Sequence, residues 1–216
     1  MSSFSAPQPG LFIAFEGGDG AGKSTQALLL AKALSDAGRT VVRTREPGGT
    51  PVGEAIRTLI LDPAYPEMTP LTEVMLFCAS RAQHCEQVIR PALQRGAWVV
   101  CDRFSSATIA YQGFAGGLGP ETVHRVNEVA TAGLEPDVLI VLDADPMVGW
   151  ERKFGDGSQA LADRIEHKSM EFHQAVRQGF LAQAEARTGR VAVLDASMPV
   201  GNVFAAVQAL LQERGF

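Results

Sequence analysis

FEGGDGAGKSTQ, residues 15–26, sets glycines, an alanine, a lysine and hydroxyl side chains between two segments of opposite character. Ahead of it, LFIAF at residues 11–15 is short and wholly apolar, as in a strand buried on both faces. Behind it, TQALLLAKAL at residues 25–34 carries the apolar stripe of a helix. The quoted residues are therefore a strand-to-helix turn. Within it Gly17, Gly22, Lys23 and Ser24 fit the spacing G-x-x-x-x-G-K-[ST]. Glycines let the backbone curl until successive N–H groups point at one anion, and the helix starting near Lys23 adds its positive end. Such a turn is expected to cradle a nucleoside triphosphate along Gly17, Gly18, Asp19, Gly20, Ala21 and Gly22 and on through Thr25. Lys23 is expected to reach the β- and γ-phosphates, and the Ser24 hydroxyl to ligate Mg²⁺.

Four more short runs rich in β-branched residues follow, at 40–43, 98–101, 138–142 and 191–194. Helical patterns separate them, at 24–37, 52–61, 71–94, 121–131, 163–187 and 203–212, with another helix starting at Pro146. Alternating strands and helices predict an α/β fold. It is a P-loop NTPase-type, doubly wound, parallel five-stranded sheet with helices on both faces. Residues 1–10 read as a flexible tail and 11–216 as one P-loop domain. The segment KFGDGSQALA, 153–162, interrupts two helices with small and polar residues, and a small lid is expected near 152–164.

The bulk numbers narrow the partners. A chain of 216 residues has room for one domain with a full core. A formal net charge of -5 with no basic stretch argues against nucleic acid as a partner. No apolar run approaches the ~20 residues of a membrane span, and the first ten residues lack a signal-peptide pattern. The three cysteines, Cys78, Cys85 and Cys101, lie in apolar contexts, as reduced core thiols do. A cytoplasmic protein is expected.

CDRFSSATIAYQG, residues 101–113, begins at the carboxyl end of the third strand, the edge where doubly wound sheets bind ligands. Asp102 is placed there to hold Mg²⁺ through water, and Arg103 to clamp a phosphate. REPGGT, residues 45–50, ends the second strand at the same edge. Phe77 and Arg81 stand four apart on one helix face, a spacing at which a ring stacks on a base while a guanidinium bonds its edge. Phe77 alone reads more readily as a core residue than as a ligand, but an arginine on the same face is costly to bury without a partner, which favours a binding role. A nucleotide cradle is compatible with a small-molecule kinase, a GTPase switch or an ATPase acting on other proteins. The N-K-x-D motif of a switch GTPase does not occur.

FEGGDGAGKST, TREPGGT, FCASRAQH, DRFSSATIAYQG and DRIE occur in the order and approximate spacing of thymidylate kinases, and the chain resembles that family over nearly its whole length after the tail. The resemblance implies transfer of the γ-phosphoryl group of ATP to dTMP, giving ADP and dTDP on the way to dTTP. It implies that Phe77 stacks on thymine and that Arg81 bonds its O4. Tyr111 would lie under the deoxyribose and disfavour a 2′-hydroxyl, with Thr108 and Gln112 near the base or sugar. Asp19 resembles the carboxylate at the acceptor end, and Arg103 the clamp on the dTMP phosphate, helped by Arg45 or Arg57. Family members are usually homodimers packed through helices, which suits the apolar helix around residues 74–85. The other readings are a kinase for a different nucleoside monophosphate and a non-catalytic ATP-binding regulator.

Phosphoryl transfer needs cations and alignment more than covalent help, so Lys23, Mg²⁺ and Arg103 are expected around the transferring group. Some members of the family place an arginine in the phosphate loop, where this chain has Gly20. The resemblance is therefore to the bacterial type, whose arginine comes from the lid. The usual lid arginine is replaced by Gln159 or its neighbours, leaving Arg152 and Arg164 as the expected catalytic cations. Lys153 reads as a solvated lid charge.

Overall fold

Every residue of the strand Phe12–Glu16 (β1) is buried, because it runs through the middle of a five-stranded sheet. The computed structural model describes residues 10–158, 162–187 and 190–216, so Gln159 and the tail before Gly10 lie outside the described residues. The other strands are β2 (Val41–Arg45), β3 (Trp98–Asp102), β4 (Val138–Asp143) and β5 (Val191–Asp195). All pair in parallel, in the order β2-β3-β1-β4-β5. The fold is that of the P-loop NTPases, as the sequence predicts.

Successive side chains of a strand point to opposite faces, so a central strand needs two apolar sets. Ile13 and Phe15 join Val100, Ile140 and Leu142 on one face, under the helices Lys23–Asp36 (α1) and Val200–Glu213 (α9). Phe12 and Ala14 join Val99 and Cys101 on the other. That face is covered by Pro70–His84 (α3), by Arg90–Gln94 (α4) and, further along, by Met170–Ala186 (α8). Each fully buried Ile or Phe contributes roughly 1.5–3 kcal/mol of transfer free energy. The edge strands β2 and β5 are only partly covered.

The structure differs from the expected elements in three places. The helix expected over 71–94 is α3 and α4 joined by a π-helical turn, Cys85–Ile89. Pro91 has no N–H to give to the preceding turn, and the wider turn falls just before it. The helix expected over 163–187 begins only at Met170, capped by the Ser169 side chain. Residues 163–168 form turns instead, because Asp163 Oδ1 accepts from the N–H groups of Ile165 and Glu166. Finally, residues 105–115 are helical, as Ser105–Thr108 (α5) and a π-helical stretch, Ile109–Ala115. The remaining helices are Pro51–Leu61 (α2), Pro120–Thr131 (α6) and Pro146–Phe154 (α7). The three cysteines are free and buried.

Candidate active site

Register brings the chemistry to one edge. Arg45 is level with Asp102, and Asp102 with Phe15, so β2, β3 and β1 all end where the phosphate loop begins. The loop needs its glycines there: Gly17, Gly20 and Gly22 have φ of 131°, 71° and 91°. A Cβ on Gly17 would overlap the Leu142 carbonyl, and one on Gly20 the backbone of Gly149 in α7. Gly22 caps α1 without any side-chain acceptor, and no acidic residue stands in the first turn. The opening N–H groups of α1 are thus left to an anion, and residues 19–26 line a cleft of about 770 Å³. Lys23 lies in that wall and donates to the Gly18 carbonyl at 2.6 Å. Burial, and then the charge of Arg103, pull the Lys23 ammonium down to about 8.

Beside the loop, Ser24 Oγ donates to Asp102 Oδ2. These two hard oxygen donors, adjacent on the cleft wall, have the chemistry Mg²⁺ takes. Arg103 has a φ of 72°, a left-handed conformation that costs an arginine about 1–2 kcal/mol. Such strain concentrates at functional positions. The bend turns its guanidinium back over the loop, where it donates to Asp19 Oδ1 and, at 3.1 Å, to the Gly17 carbonyl. Tyr111 donates to Asp19 Oδ2 at 2.8 Å, and its oxygen accepts from Arg103 at 3.1 Å. Burial would raise the Asp19 carboxyl, but Arg103, Lys23 and the Tyr111 hydroxyl outweigh it and hold Asp19 well below the usual carboxylate range. Burial pushes the Tyr111 phenol up, so it stays a donor.

Because β2 and β5 lie on opposite sides of β1, the residues that line the cleft fall into two sets, or arms, one on each side of the loop. One arm is lined by Arg45, Arg57, Phe77, Arg81, Thr108 and Gln112. Arg81 is 1% exposed and donates to Glu46 at 2.7 Å, to Asn127, to the Phe104 carbonyl at 3.1 Å and to Thr108 Oγ1 at 3.0 Å. Burial would lower this guanidinium, and the Glu46 carboxylate more than offsets it. His84 holds the other oxygen of Glu46 at 3.0 Å. Arg45 pairs with Glu54, and Arg57 donates to the Pro47 carbonyl. The other arm runs past Arg152 to Ser197, Met198, Pro199 and Val200, the turn after β5. Arg152 donates to the carbonyls of Ala196 and Ser197 at 2.7 and 3.0 Å.

The cations expected on the lid divide. Lys153 lines the cleft and pairs with Glu166. Arg164, expected at the transferring group, is not among the lining residues. It is 7% exposed and turned inward, donating to Glu73 at 2.6 Å and to the Ile60 carbonyl at 2.9 Å. Gly17 and Gly18 shape the loop without lining this cleft. The sequence reading missed the 196–200 wall, whose only signal was its place at the carboxyl end of the last strand. It also missed Glu46, Glu73 and Asn127, which act on other side chains from a distance in sequence.

A parallel sheet, a glycine-lined anion cradle with a lysine at the helix start, and a cleft with room on either side define a P-loop phosphotransferase. Residues 15–207 match the family model described as Thymidylate kinase. The chain is 48% identical over 203 residues to the thymidylate kinase of Symbiobacterium thermophilum, covering 94% of this chain and 93% of that one. With that of Deinococcus radiodurans it shares 45% over 206 residues, covering 95% and 98%. The crystal structure of thymidylate kinase from Ehrlichia chaffeensis superposes with a TM-score of 0.77 at 34% identity, over 94% of this chain and 99% of that one. The chain belongs to the thymidylate kinase family.

Proposed function

We propose that this chain transfers the γ-phosphoryl group of ATP to the 5′-phosphate of dTMP, with the two nucleotides in the two arms of the cleft. One observation carries this reading: the phosphate loop sits between an arm lined by Phe77, Arg81 and Gln112 and an arm closed by residues 196–200. Membership of the thymidylate kinase family supports it.

In the acceptor arm Phe77 stacks on the base. Thr108 Oγ1 already accepts from Arg81, so its own O–H is available to a ring carbonyl, and Arg81 supplies the charge behind it. The Gln112 side-chain oxygen is buried without a hydrogen-bond partner on the same wall, which suits the N3–H of thymine. Tyr111 lies at the sugar and ties it to Asp19. Arg103 grips the acceptor phosphate, with Arg45 and Arg57 flanking it. In the donor arm residues 196–200 hold the nucleoside, and Arg152 fixes that turn through its carbonyls.

In-line transfer spreads negative charge over the moving group and both flanking oxygens. Lys23 and the N–H groups of the loop hold the donor phosphates, and Arg103 holds the acceptor. Ser24 and Asp102 would hold Mg²⁺, which supplies further positive charge at the donor phosphates. Lys153 is the cleft-facing lid cation, released from Glu166 as the nucleotides enter. Arg164 stays behind the wall.

We also read the chain as a homodimer. Val74, Cys78 and Cys85 are buried inside the chain, so the helix face available to a second copy carries Leu71 and Met75 instead, 48% and 51% exposed. Light scattering on the wild type and on a Met75→Glu variant tests this. A monomeric wild type sinks it. No helix of the described residues is long and apolar enough to cross a membrane. The decisive assay for function is ADP release from ATP and Mg²⁺ with a panel of monophosphates. dTMP should give the highest kcat/KM, and equal or better use of dCMP or a purine monophosphate would overturn the assignment.

A further inference from the structure

We infer that Glu73 is a positioning residue that sets which atom of the Gln112 amide faces the acceptor arm, and so fixes the pyrimidine that the cleft accepts. The inference rests on the reading of that arm as the dTMP site. Glu73 is fully buried on α3 and never touches the cleft. Its Oε1 accepts from Arg164 at 2.6 Å and from Lys168 at 3.2 Å. Its Oε2 accepts from Gln112 Nε2 at 2.7 Å and, at 3.5 Å, from Lys168. An ionised carboxylate can only accept. The Gln112 amide must therefore turn its NH₂ toward Glu73, and its oxygen is left facing away. That oxygen is buried without a partner in a side chain 1% exposed, on the cleft wall.

Of the two ends of the amide, the oxygen is the one the fold leaves without a partner, and it is the acceptor a base entering this arm would meet. A base with a ring N–H, thymine or uracil, satisfies it. Cytosine offers a lone pair at the same ring position, and two acceptors face each other. Arg164 and Lys168 come from the turns after the lid, so the anchoring of the amide and the anchoring of residues 164–168 are one cluster. A lid-proximal arginine thereby acts on substrate choice without meeting substrate.

Glu73→Gln reverses the logic. Arg164 demands an oxygen at the position of Oε1, which leaves the new NH₂ pointing at Gln112. The Gln112 amide must then offer its oxygen to residue 73 and its NH₂ to the cleft. In steady-state assays of wild type and variant with dTMP and dCMP, KM for dTMP should rise by about 10- to 100-fold. KM for ATP should stay within about twofold, and the dTMP-over-dCMP preference in kcat/KM should fall by at least about 100-fold. Glu73→Asp keeps the charge but draws it back by one methylene. It should lower the preference without reversing the amide. A folded Glu73→Gln enzyme with the wild-type preference overturns the inference, and so does a failure of both variants to fold, which would make Glu73 structural only. A wild-type enzyme that ignores dTMP overturns the reading of the arm itself.

Discussion

Arg103 and Lys23 face the same cleft as like charges, with the Asp19 carboxylate drawn to the guanidinium and the lysine turned to the Gly18 carbonyl. Burial and this repulsion bring Lys23 down to about 8. A bound triphosphate restores an anion beside it and raises it again. The sign follows: above pH 8 the empty enzyme holds Lys23 neutral, and ATP binding must take up a proton. At pH 8.5 the uptake should approach 0.8 proton, about the neutral fraction of a group titrating at 8. Titration calorimetry in buffers of different ionisation enthalpy measures it. ATP affinity should fall as pH rises above 8. Lys23→Met should bind ATP weakly, with no uptake. Equal enthalpies in all buffers for the wild type would count against the placement of Lys23.

A second carboxylate carries the opposite sign. Glu16 ends β1 fully buried, with Oε1 accepting from the N–H groups of Phe104 and Ala107. Its Oε2 has no hydrogen-bond partner, and burial raises its carboxyl to about 7 from 4.5. Between pH 4.5 and 7 the folded chain binds more protons at this group than the unfolded chain, so its contribution to stability falls as pH rises through that window. The shift corresponds to about 3 kcal/mol. Glu16→Gln should therefore gain stability relative to wild type by up to about 3 kcal/mol between pH 4.5 and pH 7. Urea unfolding of both proteins across that range checks it, and a constant difference would refute it.

The strands were readable because a central parallel strand is apolar on both faces, as in Phe12–Glu16, and the phosphate loop because its glycines and lysine are consecutive. What stayed hidden depends on partners far apart in the chain. Residues 105–115 read as a motif at the ligand edge of the sheet rather than as a helix, and their helix is anchored by Glu16, 88 positions from Phe104. Arg164 reads as a lid cation until its partner Glu73, 91 positions away, is seen beneath the cleft wall. Gln112 was legible as a site residue, but not the direction of its amide. That direction comes from the same glutamate.

Arg164 and Lys153 should therefore separate stability from turnover. Arg164→Met leaves Glu73 to Lys168 alone among its cations and removes a buried ion pair. It should cost about 3 kcal/mol, read as a lowered urea midpoint. Lys153→Met should lower the midpoint less than Arg164→Met, since the lysine is 44% exposed although its partner Glu166 is 6%, and lower kcat by about 10- to 100-fold with KM for dTMP little altered. A loss of kcat with KM for dTMP unchanged, in a fully stable Arg164→Met enzyme, would return that arginine to the transferring group.

The packing of the phosphate loop against α7 explains why a cation has to come from outside the loop. Gly20 has a φ of 71° and lies so close to α7 that a Cβ there would overlap the backbone of Gly149. A Cβ on Gly149 would in turn overlap the Asp19 carbonyl. The loop and α7 thus meet through two glycines, and neither position tolerates a side chain while the other backbone stays in place. An arginine cannot be added to the loop at residue 20 unless α7 withdraws. Gly20→Arg should combine left-handed strain of about 1–2 kcal/mol with overpacking of about 1–3 kcal/mol, for a loss of about 2–5 kcal/mol. Gly149→Ala, which relieves nothing in the loop, should cost a similar overpacking term and raise KM for ATP by displacing Asp19. Because both substitutions strain one contact, the double variant should lose less than the sum of the singles. Chemical denaturation of the three variants tests this, and a Gly20→Arg protein as stable as wild type would mean that the close approach of loop and α7 is not a constraint on where the cation enters.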